Sequence, residues 1–252
     1  MTASARTVPP PTKGELDLPP LFRLLTLREA GDAFTHAQAV ADEMGAGTIV
    51  WTRRFDLVEF AVVLEPDEPL ERARRAFYAG MTALTDALAA HAPPERTLAV
   101  DWPDSVLFEG GLIGGGRLAA PEGTGEQEAP RWLVFGAMLR SHAMTEIEPG
   151  LHTMGASLTD EGFEDADAGR IIESFSRHLM VAVDEWQGDG FDRLARRYLE
   201  SVPVEQGERR AIDGNGDLLI WRPGAAQPER QALRAALAAQ KWFDPEAREP
   251  FL

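Results

Sequence analysis

The sequence predicts an α+β protein with a mixed, largely antiparallel central sheet flanked by helices and a small β-rich module at its C-terminal end. Three observations predict it. Segments rich in β-branched and aromatic residues alternate irregularly with segments whose apolar residues recur at helical spacing. Strand-like segments also occur in hairpin-like pairs, which suits an α+β fold better than a doubly wound one. After Pro203 the texture changes to short strands around the turn Asp213, Gly214, Asn215 and Gly216, whose residue types tolerate positive φ.

Taken in order, residues 1–20 are Pro-rich and read as an extended tail. Phe34, Ala37, Val40, Ala41 and Met44 share one helical face; Asp32 is placed to cap that helix, and Gly45 and Gly47 end it. "GTIVW" and "LVEFAVVLEP" form a predicted hairpin through Arg53, Arg54, Phe55 and Asp56. Phe77, Met81, Leu84 and Leu88 mark a single long helix between Pro69 and His91, stopped by Pro93 and Pro94. "RTLAVDW" is the next strand, then come Gly114, Gly115 and Gly116, a solvated polar loop over 120–131 and the strand "WLVFGAML". A second long helix from Ala166 to Trp186 buries Ile172, Phe175, Leu179, Val183 and Trp186, and "FDRLARRYLESV" is a shorter one after Gly188 and Gly190. A last helix, "ERQALRAALAAQ", precedes the aromatic end "KWFDPEAREPFL". The expected organisation is the tail, a main domain over 21–202 and a small C-terminal domain over 203–252.

Composition narrows the function. The chain has 252 residues, 44% of them hydrophobic, enough for a packed core, and a net charge of −16 spread along its length. Phosphate neutralisation needs the opposite charge, so nucleic acid and anionic membrane are not expected partners. With no cysteine there is no disulfide and no thiolate chemistry. The N-terminal stretch lacks the apolar core of a signal peptide and no window approaches a membrane span, so a cytoplasmic location is expected. Five histidines show no metal-ligand spacing, and no metal ligand is assigned; His142 and His152 flank the predicted strand and a loop. There is no Gly-x-Ser-x-Gly elbow and no Walker loop.

The informative stretch is "VDWPDSVLFEGGLIGGGRL", Val100 to Leu118. A Trp-Pro-Asp turn follows a strand, and a second strand runs into three glycines and an arginine. Side-chain-free backbone there allows close approach of a flat ligand, or equally a bulge or a packed crossing. Trp102 and Pro103 suit a packed turn. Asp101 and Asp104 are oxygen donors of the kind Mg²⁺ takes, but for Asp104 a cap of the turn through its own backbone is the favoured reading.

The stretch resembles the central motif of the biotin protein ligases within the biotin and lipoate protein ligase superfamily, which carry a Lys-Trp-Pro-Asn-Asp turn and then a lysine before a Gly-Ile-Leu segment. The matching residues are Asp101, Trp102, Pro103, Asp104 and Ser105, then Leu112, Ile113, Gly114, Gly115 and Gly116. "WLVFGAML", "MGASLTDEG" and "RRAIDGNGDLLI" are similar to later family segments in the same order. The resemblance implies acyl-adenylate formation from ATP, Mg²⁺ and biotin or lipoate, with transfer to a carrier-protein lysine. It departs from the family where chemistry is concentrated. Asp101 stands in the place of the turn lysine, Gly110 or Gly111 in that of the second lysine, and a long Gly-Arg-Gly-Arg loop is shortened to Arg53 and Arg54.

The residues assigned on this basis are Arg117, Asp101 and Arg140 for catalysis. Arg53, Arg54, Trp102, Pro103, Asp104, Gly114, Gly115 and Gly116 are assigned to ligand and cofactor binding, the arginines replacing absent lysines. Expected partners are a small carboxylic acid, a carrier-protein acceptor and a second copy of the chain as a homodimer; the acidic surface disfavours an acidic carrier domain unless a basic patch such as Arg193, Arg196 and Arg197 offsets it. The alternative is a module on the same fold that binds the acid or the carrier without adenylation.

Overall fold

The computed structural model describes residues 16–142, 156–163 and 167–251. Its first strand, β1 (Arg23–Leu27), is followed by α1 (Ala33–Met44), which starts where the Asp32 side chain accepts from the Thr35 N–H and ends at Gly45 with φ 72°. β2 (Thr48–Arg53) and β3 (Leu57–Leu64) form the expected hairpin. The single helix expected from Pro69 to His91 is instead two: α2 (Leu70–Ala73) and α3 (Ala76–Ala89). Between them Arg75, Phe77 and Tyr78 donate to carbonyls three residues back, a tighter winding than the α-helix. It lets the Arg75 guanidinium lie over Trp186 and Phe191 while pairing with Glu68.

β4 (Leu98–Asp101), β5 (Ser105–Phe108), β6 (Gly111–Ala119) and β7 (Leu133–Arg140) complete a seven-stranded sheet ordered β1-β2-β3-β7-β6-β5-β4. Only β1 and β2 run parallel; every other neighbouring pair is antiparallel. α4 (Ala168–Asp189) and α5 (Phe191–Glu200) pack with α3 on one face, where Phe135 stacks on Phe175 and the rings of Phe60 and Phe77 pack against them at a tilt. β8 (Arg209–Ile212), β9 (Leu218–Trp221) and β10 (Glu229–Gln231) make a separate small sheet whose Ile212, Leu218 and Ile220 join the main core. No helix among the described residues is long and apolar enough to cross a membrane.

The chain ends in α6 (Leu233–Ala239) and a short hairpin of β11 (Phe243–Asp244) and β12 (Glu249–Pro250). The hairpin does not stand apart. It lies on the sheet face opposite α3 and α4, beside α1, and contacts β6 and β7.

Candidate functional site

Strand parity decides which side chains meet, because successive residues point to opposite faces. Register places Thr52, Glu59, Met138, Gly115 and Ser105 in one row across five strands. Flanking rows on that face carry Leu57 with Arg140 and Ala61 with Gly136 and Arg117. This face, between α1 and the C-terminal hairpin, is a groove. Arg53 has the other parity: it lies over the Trp51 ring at 4.9 Å, on the helical face.

Arg117 is 9% exposed, its guanidinium sandwiched between the rings of Phe34 and Phe243, each 4.5 Å away. Burial pulls its pKa down, opposed by the charges of Asp32 and Glu59. Arg140 is 4% exposed; its Nη2 donates to the carbonyls of Pro250 at 2.5 Å and Phe251 at 3.5 Å, and its Nε has no partner. Among the described residues no carboxylate lies within ion-pair distance of either arginine. Both guanidinium groups are thus buried on this face, on either side of the Glu59–Met138–Gly115 row. Arg54 reaches the same groove but is bound to Asp56, whose hydrogen bond raises the arginine's pKa.

Acids face them. Glu59, 2% exposed, accepts the Ala33 N–H at 2.7 Å at the start of α1, and burial raises its pKa. For Asp32 burial pushes upward, but the Thr35 N–H, Arg248 and Arg117 outweigh it and hold its pKa below the ordinary value. Between these acids, Arg54 and the hairpin residues Phe243, Ala247 and Arg248 a cavity of about 190 Å³ remains.

The three glycines have three different neighbours. A Cβ on Gly114 would meet the Met138 carbonyl, one on Gly116 the Met81 sulfur under α3, and one on Gly115 the Trp242 ring at 2.6 Å. Gly115 is thus the groove floor, and Trp242, 1% exposed, lies on it. Trp102 and Pro103 are held from the helical side: the Trp102 N–H donates to the Tyr78 hydroxyl (3.1 Å) and the Pro103 carbonyl accepts from Tyr198 (2.7 Å). Asp101 is exposed on the edge strand β4. Asp104 is buried, with an Oδ2 that has no partner, and burial pushes its pKa up to about 7. His142 stacks on Phe55 at 4.4 Å beyond the groove end; His152, with Met154 and Gly155 of "MGASLTDEG", lies outside the described residues. A larger cleft, of about 670 Å³, opens on the helical face around Trp51, Arg53, His142 and Asp167.

The family model described as the biotin/lipoate A/B protein ligase family matches residues 18–200, most of the chain. The chain belongs to the biotin/lipoate A/B protein ligase family. No curated protein matches it. Among solved structures, a biotin protein ligase-like protein of unknown function from Silicibacter sp. is similar with a TM-score of 0.74 and 24% identity, over 88% of this chain and 99% of that one. The biotin protein ligase from Aquifex aeolicus in its apo form gives a TM-score of 0.65 at 14% identity, over 84% and 96%. The same enzyme in complex with biotin and ATP gives 0.60 at 12%, over 83% and 95%. At these identities the likeness is one of fold.

Where the resemblance to the biotin/lipoate ligases implies a turn lysine and a second lysine, this chain has the exposed Asp101 and, for the second, Gly110 in the β5–β6 turn or Gly111 at the start of β6. Its only lysines are Lys13 and Lys241, the second exposed on the C-terminal segment beside Trp242. Glu59 and Trp242, the two residues that most define the groove, carry no local sequence signal. Glu59 sits in an apolar strand, and Trp242 in a short aromatic tail far along the chain from the sheet it covers.

Proposed function

We propose that this protein binds a biotin- or lipoate-type carboxylic acid in the groove over Gly115 and, with ATP and Mg²⁺, converts it to an acyl-adenylate for transfer to a carrier-protein lysine. The observation that carries the reading is the pair Arg117 and Arg140: buried guanidinium groups on one face, neither bonded to a carboxylate. In this scheme the acyl carboxylate attacks the α-phosphorus of ATP and pyrophosphate leaves. Arg117, Arg140 and, once freed from Asp56, Arg54 offset the negative charge that develops there. The cavity of about 190 Å³ beside them is lined by Asp32, Glu59, Arg54 and Arg248 and not by Arg117, Arg140 or Gly115, so a whole ligand needs the space over Gly115 that Trp242 fills. The unpartnered Asp104 Oδ2 suits a Mg²⁺ ligand, with the nucleotide's phosphates supplying the rest; Asp101, at the surface, is left to meet the carrier. On the carrier side, Arg193 and Arg197 are paired with Glu185, so less positive charge remains there for an acidic carrier domain than the sequence alone implies.

A second reading, binding without adenylation, is favoured by one observation: among the described residues the one lysine, Lys241, is exposed, and Asp101 holds the turn lysine's place. ATP–pyrophosphate exchange with biotin, lipoate and octanoate separates the two. Exchange with any of the acids is expected of a ligase. Binding of an acid with no exchange would leave the module alone.

A further inference from the structure

The C-terminal hairpin occupies the groove that the proposed ligand needs. Trp242 packs on Gly115 among Leu57, Leu112 and Met138, an apolar seat closed by Phe243. Beyond it, the Arg140 Nη2 donates to two neutral backbone carbonyls, Pro250 and Phe251. We propose that residues 241–251 form a displaceable plug, with Trp242 in the place of a ligand's apolar portion and the carbonyls on Arg140 in the place of its carboxylate. The occupant that lifts it is an acid with a flat or linear apolar tail.

The seat is built less tightly than a core. The Trp242 indole N–H and the Asp104 Oδ2 are both buried without a hydrogen bond of good geometry, although the indole lies close enough to act on the Asp104 carboxyl. Unsatisfied buried polar atoms lower the cost of leaving. An anion in place of the two carbonyls would give Arg140 a charge-assisted partner. The plug's own ladder is short, two residues a side, and its clasp to α1 is the Arg248–Asp32 ion pair at 2.6 Å, with Arg248 59% exposed. Gln240 and Arg248 have φ of 40° and 59°, the left-handed region that non-glycine residues seldom adopt. Gln240, between α6 and the segment that has to swing, is its hinge, while Arg248 sits in the turn of the hairpin that moves.

The identity of the ligand rests on the proposed function; the lifting does not. In hydrogen exchange on the full chain, the amides of Phe243, Arg248 and Phe251 are expected to exchange roughly a hundredfold faster than those of β7, the mark of local opening. Exchange as slow as β7 would overturn the plug. In calorimetry with octanoate, lipoate and biotin, Trp242→Ala is expected to bind at least about tenfold tighter than the native chain, because apparent affinity scales with the fraction already open. Equal affinity for the two proteins would also overturn it. Fast exchange with no acid bound by either protein leaves the plug standing and contradicts the proposed function. Should Trp242→Ala fail to fold, the exchange measurement on the native chain decides.

Discussion

The Trp242 indole lies directly on Gly115: a Cβ there would stand 2.6 Å from the ring and 2.2 Å from the Asp104 carbonyl oxygen. Neither neighbour is a flexible side-chain end. Gly115→Ala is therefore expected to destabilise the chain by about 1–3 kcal/mol, the cost of overpacking, read as a shift in denaturant midpoint at constant slope. An unchanged midpoint would mean that the ring does not rest there.

Asp104 makes stability depend on pH in a direction opposite to that of a salt-bridged carboxylate. Its folded pKa, about 7, stands above the ordinary value of 3.8, so between those values the folded chain keeps a proton that the unfolded chain releases. Stability falls as pH rises through that window, by up to roughly 4 kcal/mol, and levels off above it. Glu59, also raised by burial, adds with the same sign. Asp104→Asn is expected to flatten the pH dependence of the unfolding midpoint between pH 4 and 8. The native slope persisting in the variant would assign the effect elsewhere.

Arg117 is a buried cation held by ring faces rather than by a bonded anion. Replacing it with a methionine of similar length removes a desolvation penalty, so Arg117→Met is expected to unfold at the same temperature or to gain about 1 kcal/mol. A loss of several kcal/mol in thermal unfolding would show that Asp32 and Glu59 depend on it as a partner.

Much of the fold was legible in local pattern. The Asp32 cap, the Gly45 stop and the β2–β3 hairpin each follow from residue types within a few positions of where they act. The antiparallel sheet followed from the hairpin-like spacing of its strands. The break at Arg74 and Arg75 was not legible, because no glycine or proline marks it. What accompanies it is a long-range contact of Arg75 with Trp186 and Phe191, far along the chain. Strand parity places Arg117 and Arg140, one just after the glycines and one at the end of a strand, on the same sheet face. Arg53 and Arg54 looked alike in sequence, yet strand parity sends Arg53 to the helical face and leaves only Arg54 at the groove. The hairpin over Gly115 could not be read at all: strands of two residues have no periodicity, and docking on a distant sheet is a tertiary event.

The most direct measurement is a calorimetric titration of the native chain and Arg117→Met with octanoate, lipoate and biotin. One acid is expected to bind the native chain at a single site and to lose roughly 10- to 100-fold in affinity in the variant, the worth of a hydrogen bond to a charged group. Binding that Arg117→Met leaves unchanged, or no binding of any acid even with Trp242 removed, would contradict a carboxylate site in this groove.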